Sequence, residues 1–155
     1  MRKLSNLVRL TLLIASVSAL AACQTLGSAG LVQSTASAQL TPEAASSIAG
    51  DMVGRLTEQI GPGSTTISLT PDGSVFGQAL EASLRGWGYA VVTDQVTEAT
   101  NVVALAYVVD EFEGSILVRL STLTLDLTRM YRHGSEGAAP ISPLSIMQRG
   151  AGEPV

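Results

Sequence analysis

Two stretches of the chain carry apolar residues at intervals of three and four, the spacing that places them on one face of a helix. The first begins at Thr41-Pro42-Glu43, where a capping hydroxyl, a proline and a carboxylate stand in the order typical of a helix start, and it ends at Gly61-Pro62-Gly63. The second follows Asp72 or Ser74, either of which can cap it, and ends at Gly86. The predicted buried faces are Ala45, Ile48, Ala49, Met52, Val53, Leu56 and Ile60 in the first helix and Val75, Phe76, Ala79, Leu80, Ser83 and Leu84 in the second.

Shorter segments have the alternation and the β-branched composition of strands. The run STTISLTPDG alternates polar and apolar residues before a Pro-Asp-Gly turn, and YAVVT, residues 89–93, is a second β-rich run. A strand, the second helix and another strand in so few residues favour a βαβ-like unit. An antiparallel arrangement of the two strands stays open.

The last part predicted to be ordered, residues 101–132, has two long β-rich runs on either side of Glu113-Gly114, which is the pattern of a β-hairpin. Because a strand keeps one buried face, a change in the parity of its apolar positions predicts a break, here a β-bulge or corner near Ser121 and Thr122. The parity changes from Ile116, Val118 and Leu120 to Leu123, Leu125 and Leu127.

These elements predict a small α+β domain over residues 41–132, with two helices packed on a mixed or antiparallel sheet of about four strands. Residues 23–40 are rich in Ser, Ala, Gly, Thr and Gln, a composition that buries too little apolar surface to order itself, so we expect a flexible tether. Residues 133–155, rich in Gly, Pro, Ser and Ala, are expected to be a disordered tail.

Residues 1–22 have the layout of a bacterial export signal. Arg2, Lys3 and Arg9 make a basic start, an uncharged apolar run follows, and small residues precede Cys23. The apolar run from Leu10 to Leu20 has 11 residues, whereas a helix needs roughly 20 to span a bilayer. We therefore predict a signal peptide that is cleaved between Ala22 and Cys23, and not a transmembrane helix.

Cys23 is the only cysteine of the chain, and Leu20-Ala21-Ala22-Cys23 resembles the lipobox of bacterial lipoproteins. The resemblance implies that the Cys23 sulfur takes a diacylglyceryl group and that the new α-amine is acylated after cleavage. A soft nucleophilic sulfur suits the thioether, and two or more acyl chains anchor a domain stably. Gln24, rather than Asp, follows the cysteine, which by the usual sorting rule indicates the outer membrane.

The charge balance of the mature chain argues against nucleic acid as a partner. The signal peptide carries three of the nine basic residues and none of the 13 acidic ones, so six and 13 remain, a formal charge of −7. Nucleic-acid binding needs clustered Lys and Arg. With Cys23 lipidated, no cysteine pair is left for a disulfide.

Residues that could carry chemistry are few. His133 has neither a second histidine nor a free cysteine to share a metal, so we expect a solvated loop residue. Asp110, Glu111 and Glu113 form one acidic cluster, but their spacing lacks the repeated ligands of a calcium loop, which favours a charged hairpin tip. No nucleophile and base pair stands out, and no cofactor motif is present, so we predict that the chain is not an enzyme.

Trp87 is the remaining candidate site residue. It stands between Gly86 and Gly88, a segment too short for a phosphate-binding loop and without the lysine of a P-loop. Two roles stay open for this side chain. It is either a half-buried cap over the end of the second helix or an aromatic residue that contacts a partner.

Two long runs, AGDMVGRLTEQIGPGSTTISL at residues 49–69 and FGQALEASLRGWGYAVV at residues 76–92, resemble the conjugal transfer lipoproteins of the TrbH family. The lipobox before them and the hairpin after them also fit, so the resemblance covers nearly the whole chain. It implies an accessory lipoprotein of a conjugative type IV secretion system, anchored at the outer membrane beside the mating-pair apparatus. It implies other envelope components of that apparatus as partners, with no small-molecule substrate.

A second function stays open beside this one. Small α/β domains on tethered lipoproteins also serve as periplasmic ligand-binding or cell-wall-associated modules, with no link to conjugation. The two functions differ in genomic neighbourhood and in the effect of deletion. A hydrolase is disfavoured, since no catalytic pair can be named.

Overall fold

The computed structural model describes residues 33–93 and 99–150. The predicted signal peptide, its cleavage site and Cys23 lie outside these residues. The described residues form two helices and eight strands, in the order β1 (Thr35–Ala36), α1 (Pro42–Gln59), β2 (Thr66–Leu69), α2 (Val75–Gly86), β3 (Ala90–Val92), β4 (Val102–Phe112), β5 (Ser115–Ser121), β6 (Leu125–Gly134), β7 (Gly137–Pro140) and β8 (Ser145–Gln148).

Helix α1 starts and packs as its sequence predicts. The Thr41 hydroxyl accepts a hydrogen bond from the Ala44 amide at 3.2 Å, and Pro42 opens the first turn, where it has no N–H to leave unpaired. Its predicted apolar face is buried, with Ile60 partly buried just beyond the last turn. Among the described residues, neither α1 nor α2 is long and apolar enough to cross a membrane.

Helix α2 takes Ser74, rather than Asp72, as its cap. The Ser74 hydroxyl accepts from the Gly77 amide at 3.0 Å, while Asp72 accepts from the Ser74 amide at 3.0 Å and so holds the cap in place. Phe76, Leu80 and Leu84 are buried as predicted. Val75, predicted on the same face, is 42% exposed; it is the first residue of the helix.

The sheet is mixed, in the order β3-β2-β4-β5-β6-β7, with β1 paired to β4 and β8 paired to β6. Strands β2, β3 and β4 are parallel, and β1 is parallel to β4, whereas every pairing from β4 to β8 is antiparallel. The βαβ-like unit β2-α2-β3 is thus confirmed, in its parallel form.

Both helices cover the same face of the sheet. Tyr107, Leu120 and Leu127 are cross-strand neighbours and are buried. Phe76 of α2 packs edge-on against the Tyr107 ring, with centroids 5.2 Å apart and planes at 66°. From α1, Asp51 accepts a hydrogen bond from the Tyr131 hydroxyl on β6 at 2.6 Å. Helix and sheet side chains therefore form one core.

The predicted hairpin is confirmed, but the break after it is not a bulge. Glu113 and Gly114, with φ of 49° and 72°, form the two-residue turn between β4 and β5, as a primed hairpin turn requires. At Ser121 the chain leaves the sheet and returns as β6 after three residues. The change of parity therefore marks a second hairpin, since reversing the chain lets Leu120 and Leu127 meet on one face.

The expected strand number and the expected tail are both wrong. The sheet has eight strands in the described residues, not about four. The second β-rich run contributes two of them, and β1 lies in the segment predicted to be tether. Residues 137–140 and 145–148, predicted to be disordered, form β7 and β8.

Tertiary contacts explain why this low-complexity segment is ordered. Gly137, at φ 131°, brings β7 so close to α1 that a Cβ atom there would collide with the Ser47 hydroxyl. Beyond β8, Arg149 pairs with the buried Asp126 carboxylate through bonds of 2.6 and 2.8 Å. Neither contact has a local signal in the sequence.

Candidate functional site

Trp87 is presented by the turn that ends α2. Gly88, at φ 95°, occupies the left-handed conformation that glycine adopts readily. Its amide donates to the Arg85 carbonyl at 3.0 Å, and the Tyr89 amide donates to the Leu84 carbonyl at 3.1 Å. These two bonds define a Schellman motif, whose flanking apolar residues Leu84 and Tyr89 are both buried. The backbone on both sides of Trp87 is therefore fixed.

The indole of Trp87 is half packed and half exposed. Its exposed fraction is 50%, and its Cζ2 atom lies 3.3 Å from the position that a Cβ atom would take at Gly54 of α1. A glycine at this position leaves room for one edge of the ring to lie on the helix. One edge of the ring therefore packs against α1 and the other is exposed, and contact with a partner stays a prediction.

The helical segments next to Gly54 and to Trp87 in sequence carry charged pairs. On α1, Arg55 pairs with Glu58 at 2.9 Å, and on α2 Arg85 pairs with Glu81 at 2.9 Å. Arg85 also donates to the Val91 carbonyl at 3.0 Å, which ties it to β3. An exposed aromatic side chain suits a protein contact, in which Trp is enriched.

A second cluster joins the N-terminal strand to the domain. Asp72 accepts hydrogen bonds from the Ala36 amide of β1 at 2.7 Å and from the Tyr107 hydroxyl of β4 at 2.6 Å. Partial desolvation alone would raise the pKa of the Asp72 carboxyl, but the hydrogen bonds from Ser74, Tyr107 and Ala36 outweigh it and hold that pKa below its usual range. Asp72 therefore fastens the end of the predicted tether to the core as a carboxylate.

Asp51 is the centre of a third cluster, between α1 and β6. Arg129 donates to its two oxygens at 2.8 and 3.1 Å, and Tyr131 donates at 2.6 Å. Arg129 also donates to the Ser142 carbonyl at 3.1 Å. Burial, and next the Asp51 carboxylate, raise the pKa of Tyr131 above its ordinary value, so the phenol stays protonated. The cluster joins helix, sheet and C-terminal segment and serves packing.

The other predicted residues are not brought together. His133 lies within β6 instead of past the last strand, paired in register with Ala138, and is exposed. In the hairpin, Asp110 accepts from the Ser37 hydroxyl at 2.6 Å, whereas Glu111 and Glu113 are exposed near the tip. Residues 33–93 and 99–150 contain no group of three His, Cys, Asp or Glu side chains that could hold a metal ion.

Small cavities occur along the described surface. Three of them have volumes of about 270, 190 and 190 Å³, below the roughly 300–1,000 Å³ of typical small-molecule sites. Sequence reasoning located Trp87 but missed its seat on Gly54 and the Asp72 and Asp51 clusters. Asp72 was visible only as a turn residue and a possible helix cap, and nothing near Asp51 in the sequence indicates its distant partners Arg129 and Tyr131.

Comparison with known proteins identifies the family of this chain. The family model described as conjugal transfer protein TrbH matches residues 26–150. A protein of Sinorhizobium fredii (strain NBRC 101917 / NGR234), named probable conjugal transfer protein TrbH, is 47% identical over 146 residues, covering 91% of this chain and 98% of the relative. No solved structure matches. The chain therefore belongs to the TrbH family of conjugal transfer proteins.

Proposed function

We propose that this protein is an outer-membrane lipoprotein that acts as an accessory, structural component of a conjugative type IV secretion apparatus. Membership of the TrbH family is the observation that carries the proposal, because it links the chain to conjugal transfer. The Leu-Ala-Ala-Cys sequence that ends at Cys23 supports lipid attachment, and Gln24 supports sorting to the outer membrane. The domain then serves as a binding module and not as an enzyme.

The proposed anchor keeps the domain close to the membrane. Ten residues, 24–33, separate Cys23 from Ser34, the first residue next to β1. Ten extended residues span at most about 35 Å. Since Asp72 holds β1 against the core, the attachment acts on the end of the domain where α2 begins. Partners would therefore be envelope proteins within a few tens of ångströms of the bilayer.

Replacement of Cys23 by serine tests the anchor. Cys23→Ser removes the thiol that forms the thioether, so we expect no incorporation of labelled palmitate and loss of the protein from outer-membrane fractions. Labelling of donor cells followed by membrane fractionation measures both effects. Ser28→Ala, five residues later, is the matched control and should remain labelled. Palmitate on the Cys23→Ser protein, or wild-type protein in the inner membrane, would contradict the proposal.

Trp87 is the proposed contact residue. We expect Trp87→Ala to reduce recovery of apparatus proteins with the full-length lipoprotein in crosslinking pulldowns, because a large exposed ring supplies much of the energy of a contact. The midpoint of urea unfolding should fall less, since half of the indole is already in water. Phe112→Ala, which removes a 55% exposed aromatic from the hairpin tip, is the control. Unchanged recovery with a large loss of stability would assign Trp87 to packing alone.

A further inference from the structure

Strand β4 extends past the end of its neighbour β5. Its backbone groups alternate between the two edges, as in any strand. The carbonyls of Asn101 and Val109 accept from the amides of Thr66 and Ser37, both at 2.9 Å, so odd-numbered residues face β2 and β1. The N–H and C=O groups of Val102 and Ala104 therefore face the opposite edge, on which β5 lies.

That edge of β4 is left without a strand over its first residues. Pairing with β5 runs from Phe112 to Ala106, where Ser121 is the last partner. The chain then turns away into β6. Within residues 33–93 and 99–150, the outward backbone groups of Val102 and Ala104 have no hydrogen-bond partner. Unpaired groups at strand spacing are a template for another extended backbone.

The turn beside this edge holds an apolar side chain in water. The Thr122 hydroxyl accepts from the amides of Thr124 and Leu125 at 3.2 and 2.9 Å, and the Thr122 amide donates to the Leu125 carbonyl at 2.7 Å. These bonds fix the turn, yet Leu123 at its tip is 51% exposed. Across from it, Val102 is 39% exposed. The gap between β4 and the turn therefore has apolar walls.

A cavity of about 190 Å³ occupies this gap. An apolar cavity of about 150 Å³ admits a benzene-sized group, so one apolar side chain fits here. No charged residue lines it; its walls are Ile60, Val102, Val103, Ala104, Thr122, Leu123 and Thr124. The free backbone edge and the cavity, which we call the β4 slot, are therefore adjacent and suit one and the same ligand.

We propose that the β4 slot binds an extended, uncharged segment of another envelope protein of the transfer apparatus, which adds as a strand beside Val102 and Ala104 and inserts an apolar side chain into the cavity. The identity of the partner rests on the proposed function. Main-chain hydrogen bonds would give affinity, and the cavity would select the side chain.

A second copy of this chain fits the slot poorly. Symmetric pairing would join two edges of only two free residues each, and each edge lies beside a folded turn of its own chain, Thr122–Leu125. The mature chain also carries a formal charge of −7, so copies repel one another. An extended, unfolded segment can lie beside the Thr122–Thr124 turn. A second folded copy would have to place its own Thr122–Thr124 turn in the same space.

Photocrosslinking in donor cells tests the proposal on the full-length lipoprotein. A benzoylphenylalanine at Thr124, an exposed slot residue whose hydroxyl makes no hydrogen bond, should crosslink to one extended segment of an apparatus protein. The same probe at Phe112 on the hairpin tip should not. In the isolated complex, amide hydrogen exchange at Val102 and Ala104 should be slower than in the free protein.

Two variants separate strand addition from ordinary apolar contact. Ala104→Pro removes only an N–H that faces the slot and leaves the β2 ladder intact, as proline allows at a strand edge. We expect the yield of the crosslink from position 124 to fall by about tenfold or more, because one hydrogen bond is lost and its partner group is left unpaired. Leu123→Asp, at an exposed position that does not threaten folding, should have the same effect, whereas Phe112→Asp should have none.

Crosslinks to lipid, to a second copy or to this chain itself would overturn the proposal, as would crosslinks that survive both slot variants. This failure differs from failure of the proposed function. If deletion of the whole chain leaves plasmid transfer normal, the conjugation role is rejected. If deletion blocks transfer but the slot variants neither lower transfer nor change the crosslink, only strand addition at β4 is rejected.

Discussion

Donor cells that lack this chain are expected to transfer their plasmid at a strongly reduced frequency while nicking at the origin of transfer continues. Membership of the TrbH family ties the chain to conjugal transfer. An exported lipoprotein, as proposed here, cannot reach the cytoplasmic relaxase, so DNA processing should proceed and transfer should stop at the envelope. Mating assays measure the first effect, and run-off assays at the origin of transfer measure the second.

Complementation provides the control for this deletion. The wild-type gene in trans should restore transfer, and the Cys23→Ser gene should not, because its product lacks the anchor. Normal transfer in the deletion strain would reject the conjugation role. A change in wall growth or cell shape in cells that carry no other transfer genes would instead support the periplasmic or cell-wall function left open by the sequence.

The helices were predictable because their signals are local. Thr41 and Ser74 lie within three residues of the amides that they cap, and the apolar spacing of each helix is contained in fewer than 20 residues. The turn at Glu113-Gly114 is equally local, since two residues with positive φ set its geometry. For the two helices and this turn, neighbouring residues in the sequence already favour the observed backbone conformation, and tertiary packing stabilises it further.

The strands were harder because pairing, and not local pattern, decides them. The change of parity near Ser121 correctly predicts a break, but a break is compatible with a bulge, a corner or a reversal of the chain. Strand β7 consists of Gly, Ala, Ala and Pro, with no alternation to detect. It forms because β6 offers it an edge and α1 lies against Gly137, two contacts that the sequence does not reveal.

The candidate sites also divide into features set by nearby residues and features set by distant contacts. The exposure of Trp87 follows from its glycine neighbours, which the sequence displays. Its seat on Gly54 lies 33 residues earlier in the chain, and the bonds from Arg129 and Tyr131 to Asp51 join residues 78 and 80 positions apart. Such contacts depend on the packing of whole elements. The β4 slot also depends on distant contacts. It exists only because β5 ends opposite Ala106, so the first residues of β4 have no β5 residue beside them.

Truncation of Leu56 or Leu84 to alanine is expected to destabilise the domain by about 2–5 kcal/mol each. Leu56 lies on α1 and Leu84 on α2, and they are 1% and 0% exposed within the shared core. Alanine leaves a cavity that close-packed neighbours fill only in part, which adds to the lost transfer free energy. This loss is large against the roughly 5–15 kcal/mol by which domains are stable.

Urea unfolding of residues 24–155, followed by circular dichroism, measures the loss, and a matched leucine on the surface calibrates it. Leu123→Ala removes the same atoms from a side chain that is 51% exposed, so its effect should stay within about 0.5 kcal/mol. The slope of the free energy with urea should be unchanged, because the folded state stays equally compact. If the losses in unfolding free energy for Leu56→Ala and Leu84→Ala are both as small as that for the Leu123→Ala control, these two helix faces do not form the core.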